Sequence, residues 1–144
     1  MPKSTSASNS ILALIFNATT WNLIAENDST SPATDLYLSL HTADPGVGGA
    51  QTTNETAYTN YARIAVARTT GGWDAPASGA TANAALAQFA QCGVTGATLT
   101  HVAIGTAASG AGLVLYAGAL TSSLAVANGI QPQFAAGALD VTES

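Results

Sequence analysis

Charged side chains are scarce in this sequence. They make up 8% of the residues, about a third of the usual share in a soluble domain. No residue from 75 to 139 is an Asp, Glu, Lys or Arg. Because soluble monomers normally spread charges over their surface, so long a neutral stretch favours a surface that faces other protein. A water-facing surface of neutral Thr, Ser and Asn side chains is the alternative.

Basic residues are the scarcest charged residues. Lys3, Arg63 and Arg68 stand against eight acidic residues, which gives a formal net charge of -5. Binding to nucleic acid needs clustered Lys and Arg side chains that displace counterions from phosphates. Anionic membranes attract similar clusters. We therefore expect neither nucleic acid nor a membrane among the partners.

Cysteines and long apolar runs are also lacking. Cys92 is the only cysteine, which excludes an intrachain disulfide. The apolar run at residues 11–16 is too short for a signal peptide, so we expect a protein made in the cytoplasm. The uncharged stretch at 102–120 contains Gly105, Gly110 and Gly112. These interruptions favour two strands over a membrane span.

Catalytic motifs are missing from the sequence as well. His41 and Asp44 lie three positions apart and His101 follows later, so a Ser-His-Asp hydrolase or a His₂-carboxylate metal site can be imagined. However, there is no G-x-S-x-G, H-x-H or H-E-x-x-H motif. The Gly-rich segment at 105–112 lacks the Lys of a phosphate-binding loop. We predict no catalytic residue, no metal site and no cofactor.

One N-terminal helix is predicted from the spacing of apolar residues. A Ser or Asn at positions 8–10 can cap this helix, which would end near residues 22–27, where a polar loop at 26–32 begins. The predicted apolar stripe consists of Ile11, Leu14 or Ile15, Ala18 and Trp21. We expect residues 1–10 to form a flexible arm and residues 11–144 to form a single domain.

The rest of the chain is predicted to be mainly β. Residues 35–42 alternate between leucines and other residues, which indicates a strand with one buried face, and residues 61–69 form a second strand. A long polar loop lies between them at 43–55. Further short strands are predicted at 84–91, 99–105, 112–118, 120–127 and 133–141. This spacing favours a single-domain antiparallel β-sandwich of the jelly-roll type, or a barrel.

A small set of side chains is predicted to contact a partner. Two of the three basic residues fall in one predicted strand, five positions apart, so they point to opposite faces. One of them can pair with Asp44, with Glu55 or with a carboxylate of a neighbour, and exposure to solvent is the alternative. The candidate interface residues are Arg63, Arg68, Trp73, Tyr58, Asp44 and Trp21. In a carbohydrate-binding module, Trp73 and Tyr58 would instead stack on sugars.

Several segments together resemble one protein family. They are L-Y-L-x-L-H-T-A-D-P at 36–45, Y-A-R at 61–63, T-H-V-A-I-G at 100–105, L-Y-x-G-A-L at 115–120 and F-A-A-G-A-L-D-V-T at 134–142. In these motifs and in their order the chain resembles a family of small tailed-phage virion proteins that are often labelled tail fibre proteins. The resemblance implies a virion structural protein without catalytic activity.

The neutral stretch and the resemblance together lead to a functional hypothesis. We expect a capsid decoration or cement protein that packs on the head shell and on its own copies. A tail fibre or tail-tip subunit is the alternative, and a carbohydrate-binding module is a further one. The expected partners are the major capsid protein or tail proteins, together with copies of the chain in a trimer or dimer. The head is preferred because the sequence contains no repeat that would form a fibre shaft.

Overall fold

The structure is a computed structural model that describes residues 3–21, 24–25, 32–46 and 48–143. Its elements within these residues are α1 (Thr5–Phe16), β1 (Asp35–His41), β2 (Ile64–Ala67), β3 (Ala80–Ala82), β4 (Ala87–Gln88), β5 (Ala97–Gly105), β6 (Val114–Val126), β7 (Gln133–Phe134) and β8 (Asp140–Thr142). One antiparallel sheet has the order β2-β1-β5-β6, and two smaller sheets pair β3 with β8 and β4 with β7. The predicted mainly β class with one short helix is confirmed. The sheets are open, which agrees with a sandwich and not with the barrel alternative.

The chain divides into two compact units. Unit 1 consists of Met1–Asp35, Val66–Ala87 and Phe134–Ser144, and unit 2 consists of Leu36–Ala65 and Gln88–Gln133. The organisation into an arm at 1–10 and one domain at 11–144 stays a prediction. The polar loop predicted at 26–32 lies outside the described residues except for its last position.

The helix α1 begins and ends earlier than predicted. Its N-cap is Ser4, whose hydroxyl accepts a hydrogen bond from the Ala7 amide. It ends at Phe16, and Ala18 has a φ of 51°. A left-handed residue of this kind cannot continue a right-handed helix. The prediction of a cap at 8–10 and an end near 22–27 was therefore wrong.

The buried face of α1 also differs from the predicted stripe. The buried helix residues are Ser8, Leu12 and Phe16. Every position from 11 to 16 is apolar, so the run fits more than one helical stripe and does not fix the phase of the helix. Trp21 lies beyond the helix, in an isolated antiparallel bridge with Ala25.

Strand β1 confirms the first predicted strand but is buried on both faces over most of its length. The leucines of the expected face are all inside: Leu36, Leu38 and Leu40. On the other face Ser39 and His41 are buried as well, where the alternation indicated one exposed face. β1 pairs antiparallel with β5, with Tyr37 opposite Gly105 and His41 opposite His101.

The remaining strands differ from the prediction in length. β2 and β4 are shorter than the predicted segments at 61–69 and 84–91, while β5 nearly matches the one at 99–105. The predicted strands at 112–118 and 120–127 are one continuous strand, β6, because Gly118 lies within it without turning the chain. The segment at 133–141 contains β7 and the start of β8, and the Ala-rich β3 was not predicted, since alanine has a low β-propensity.

Each unit has its own buried apolar residues. In unit 1 the indole of Trp73 meets the ring of Phe16 edge to face, with ring centroids 4.6 Å apart. In unit 2 the rings of Tyr58 and Tyr61 lie 5.3 Å apart, and Tyr61 stacks on Phe89 at 6.2 Å. Aromatic pairs of this kind stabilise a core beyond the burial of their area.

Candidate functional site

Arg63 is the centre of a buried polar network in unit 2. Its guanidinium donates to both carboxylate oxygens of Glu55, with N···O distances of 2.7 Å. Only 3% of the Arg63 side chain and 15% of the Glu55 side chain are exposed. The Tyr61 hydroxyl donates to the same carboxylate at 2.8 Å. A bidentate, charge-assisted pair is among the strongest hydrogen-bonded arrangements in proteins.

The same guanidinium also holds the loop between β5 and β6. It donates to the carbonyls of Ala107 and Gly110, each at 2.8 Å. The hydrogen bond to Glu55 raises the pKa of Arg63, and burial acts in the opposite direction. The arrangement therefore keeps a permanent positive charge inside unit 2, where it fixes two loops and is not presented to a ligand.

His41 is buried in unit 2 with both ring nitrogens engaged. Its Nδ1 lies 2.9 Å from the carbonyl of Thr53, and its Nε2 lies 2.9 Å from the Ser39 hydroxyl. A carbonyl only accepts, so Nδ1 carries the proton and Nε2 accepts from Ser39. Burial lowers the pKa of His41, although the bond to Thr53 acts in the opposite direction. The neutral ring thus attaches the 43–55 loop to β1.

The Ser39–His41 pair differs from a catalytic triad in two ways. Both side chains are 0% exposed, so a substrate carbonyl cannot reach the hydroxyl in this structure. The other partner of the imidazole is a backbone carbonyl, whereas in a catalytic triad it is a carboxylate. Asp44, the acid considered from the sequence, instead accepts a hydrogen bond from the Gly46 amide at 2.8 Å.

Gln51 is a buried polar residue that the sequence did not single out. Its Nε2 donates to the carbonyl of Tyr37 at 3.2 Å, and its Oε1 accepts from the Ala107 amide at 2.9 Å. Two glycines make room for this side chain. A Cβ on Gly105 would lie 2.2 Å from Gln51 Cδ, and one on Gly112 would lie 2.2 Å from Oε1. The Gly-rich segment at 105–112 therefore leaves space for the side-chain amide of Gln51.

Arg68 has a different role in unit 1. Its three guanidinium nitrogens donate to the carbonyls of Ile15 at 2.6 Å, Leu14 at 2.7 Å and Ala33 at 2.6 Å. Carbonyls in the last turn of a helix lack partners within the helix, and a cation is favourable at this end. Burial lowers the pKa of Arg68. Arg68 therefore provides hydrogen-bond donors for two carbonyls at the C-terminal end of α1.

Two of the predicted contact residues lie inside their units. Trp73 is 0% and Tyr58 is 2% exposed. The Tyr58 hydroxyl donates to the carbonyl of Ala90 at 3.0 Å. The Trp73 Nε1 is buried without a hydrogen-bond partner among the described residues. Neither ring offers a face on which a sugar could stack, so the carbohydrate-binding alternative lacks its expected platforms.

The other predicted contact residues differ in accessibility. Asp44 is exposed, and Trp21 and Arg68 are intermediate in exposure, whereas the side chain of Arg63 is only 3% exposed. The structure brings Arg63 to Glu55, which was one of the alternatives for an arginine partner, and brings Arg68 to no carboxylate among its described bonds. An interface role for these residues stays a prediction.

Strand β6 belongs to the neutral stretch and is exposed along most of its length. This strand of 13 residues lies at the end of the four-stranded sheet and pairs with β5. Residues 117–119 and 121–125 are exposed, and only Val126 is buried. No residue of β6 is charged or a proline. Edge strands usually carry such residues, which prevent pairing with another chain.

In the described ranges, no group of three or more His, Cys, Asp or Glu side chains could hold a metal ion. The described helix α1 has 12 residues, and no helix in that part of the chain is long and apolar enough to span a bilayer.

The described polar side chains fix loops and a helix end within a mainly β framework. The family model described as Podophage GP4 fiber I protein gp80 matches residues 2–142. The chain belongs to this family, which makes it a structural component of a phage virion. The resemblance found in the sequence motifs is thereby confirmed. A search of curated proteins found no match.

Proposed function

We propose that the chain is a non-enzymatic virion subunit that assembles by contact with other virion proteins and with its own copies. The observation that carries this proposal is the uncharged, exposed strand β6 at the end of a sheet. A neutral, exposed strand at the end of a sheet suits contact with protein. It does not suit phosphates, which require clustered cations.

The hydrogen bonds that Arg63 and Arg68 donate within the chain support this proposal. Arg63 donates to a carboxylate and two loop carbonyls, and Arg68 donates to two carbonyls in the last turn of α1 and to that of Ala33. These side chains stiffen the subunit itself. A rigid subunit loses little conformational entropy when it joins an assembly, which favours binding.

Two locations in the virion are candidates. As a capsid decoration or cement protein, the chain packs on the major capsid protein and on its own copies, and repetition over the shell adds avidity. The lack of a shaft-forming repeat in the sequence favours this location. As a fibre subunit, it joins tail proteins, and the description of its family as a fibre protein favours that location.

Copy number per particle distinguishes the two locations. Purified virions would be digested and the chain quantified by mass spectrometry against the major capsid protein as an internal standard. Hundreds of copies per particle are expected for a head protein, whereas a handful is expected for a fibre. Absence of the chain from purified particles would overturn the proposed virion role altogether.

A further inference from the structure

We infer that Asn128 is the residue of this chain that is most prone to spontaneous deamidation, and that the turn at 127–130 suppresses this reaction while the chain is folded. The inference concerns a covalent modification. It goes beyond the proposed function and does not depend on it. Such protection matters for a virion protein, because a subunit is not replaced after assembly.

The sequence selects Asn128 among the asparagines. It is the only one that is followed by glycine, and both residues of this pair are exposed to solvent. Glycine has no Cβ, so its amide nitrogen can approach the preceding side chain without steric hindrance. These features alone would predict a fast reaction at this position.

Deamidation of an Asn-Gly pair proceeds through a cyclic intermediate. The Gly129 nitrogen loses its proton and forms a bond with Asn128 Cγ, while Asn128 Nδ2 takes up a proton and leaves as ammonia. Water then adds to one carbonyl of the resulting succinimide and breaks one of its two C–N bonds. The product is an aspartate or an isoaspartate at this position, with a negative charge. No oxidant or reductant takes part.

The structure places Asn128 and Gly129 at the two central positions of a β-turn. The Ile130 amide donates to the Ala127 carbonyl at 2.9 Å, which closes the turn. The backbone φ is 86° at Gly129 and is not positive at Asn128. This combination is that of a type II turn, in which the ψ of the first central residue is about +120°.

A type II turn is unsuited to ring closure. The five-membered ring forms only when the Gly129 nitrogen and the Asn128 Cβ are nearly eclipsed about the bond between the Asn128 Cα and its carbonyl carbon. At a ψ of about +120°, the tetrahedral Cα of an L residue holds these two atoms far from the eclipsed arrangement. The peptide between Asn128 and Gly129 must therefore rotate before the nitrogen can attack.

Hydrogen bonds with residues 91–92 oppose this rotation. The Gly129 amide donates to the Cys92 carbonyl at 2.9 Å, which keeps the proton on the attacking nitrogen. The Gly129 carbonyl accepts from Gln91 Nε2 at 2.8 Å, and the Cys92 amide donates to the Ile130 carbonyl at 2.8 Å. In the folded chain the reaction therefore requires a local opening of the turn.

Deamidation would place a charge in the neutral stretch. No Asp, Glu, Lys or Arg lies between residues 75 and 139, so the new carboxylate would be the first charged side chain there. An unpaired charge is costly to bury against another protein. Protection of Asn128 therefore keeps this stretch uncharged.

Mass spectrometry of the full-length chain tests the inference. The folded chain and the same chain unfolded in guanidinium chloride are incubated at neutral pH, and samples are digested with pepsin and mapped over several weeks. In the unfolded chain, the peptide that contains position 128 should deamidate before any other, and at least tenfold faster than in the folded chain. Equal rates in the two states, or an earlier reaction at another asparagine of the unfolded chain, would overturn the inference.

The variant Gln91→Ala tests the role of the turn. It removes the side-chain bond to the Gly129 carbonyl. The loss of one neutral hydrogen bond shifts an opening equilibrium about two- to tenfold, so deamidation at position 128 of the folded variant should accelerate by that factor. The matched control is Gln88→Ala, which removes another exposed glutamine of unit 2, one that bonds Gln133. Its rate should equal that of the unchanged chain.

Two measurements connect this acceleration to the folded state. Circular dichroism spectra of both variants should match that of the unchanged chain, and all three chains should deamidate at the same rate in guanidinium chloride. An unchanged rate in folded Gln91→Ala, or the same acceleration in folded Gln88→Ala, would overturn the protection assigned to the turn.

Discussion

The two units of this protein each hold one arginine by several hydrogen bonds, but they stabilise its positive charge in different ways. In unit 2, Arg63 forms a bidentate pair with Glu55, and this pair raises its pKa. In unit 1, Arg68 donates only to backbone carbonyls among its described bonds, and burial lowers its pKa. One site depends on an opposite charge and the other on the negative end of a helix.

This difference has consequences for stability. Removing Arg63 leaves a carboxylate in unit 2 that is only 15% exposed and has lost its counter-charge. Removing Arg68 leaves neutral carbonyls, which water can reach when the helix end frays. The first loss should therefore be larger than the second. Both losses would be measured as changes in the free energy of unfolding of the same chain, so they can be compared directly.

The largest effect is expected for Arg63→Ala. Breaking one side of a buried ion pair typically destabilises a protein by about 3–5 kcal/mol. The free energy of unfolding from denaturant titration measures this loss. The double variant Arg63→Ala, Glu55→Ala should recover part of the loss because it also removes the stranded carboxylate. A loss below about 1 kcal/mol for the single variant would show that the pair behaves like an exposed one.

A smaller effect is expected for Arg68→Ala. Hydrogen bonds to charged groups contribute about 1.5–3 kcal/mol, and no charge is left unpaired. Hydrogen exchange should locate the loss in the amides of α1, whereas the amides of β5 should be less affected. Arg68→Lys should restore only part of the stability, because an ammonium lacks the fork that binds several carbonyls at once. Full rescue by Lys would contradict the geometric role.

The smallest effect is a dependence of stability on pH that originates at His41. Burial lowers the pKa of His41 in the folded state below its ordinary value of 6.5, so the unfolded state binds more protons at mildly acidic pH. Stability is therefore fully present above about pH 6.5 and decreases as the pH falls below it. Thermal melting curves at pH 7.5 and 5.5 measure the change.

The variant His41→Asn is the control for that measurement. An Asn side chain can still donate to the Thr53 carbonyl but does not titrate. The decrease in melting temperature between the two pH values should shrink in this variant. An unchanged decrease would assign the pH dependence to groups other than His41.

Some of this architecture could be predicted from the sequence. The alternating leucines of 35–42 predicted one strand because strand alternation has a clear period. The strand at 99–105 was predicted from the turn residues that separate it from its neighbours. The pairing of Arg63 with Glu55 was one of several alternatives, since the sequence does not show which carboxylate lies near. The family was recognised from the order of short motifs, each of which is weak alone.

Other features of the structure could not be predicted from the sequence. Six consecutive apolar positions did not define which face of the helix is buried, and the break predicted between residues 118 and 120 lies within one continuous strand. The burial of Trp73 followed from contacts with Phe16, which is far away in sequence. Gln51 was overlooked because polar residues in loops are usually exposed, and only the fold brings it against two glycines.

The close packing of Gln51 against Gly105 and Gly112 restricts which residues can replace them in evolution. Its amide occupies space that side chains at positions 105 and 112 would otherwise fill. A larger residue at either position is tolerable only if position 51 becomes smaller. Another group must then bond the Tyr37 carbonyl and the Ala107 amide, which Gln51 bonds here. Among homologous chains these three positions should therefore covary, and a chain that kept Gln at 51 beside a bulky residue at 105 would have to reshape both loops.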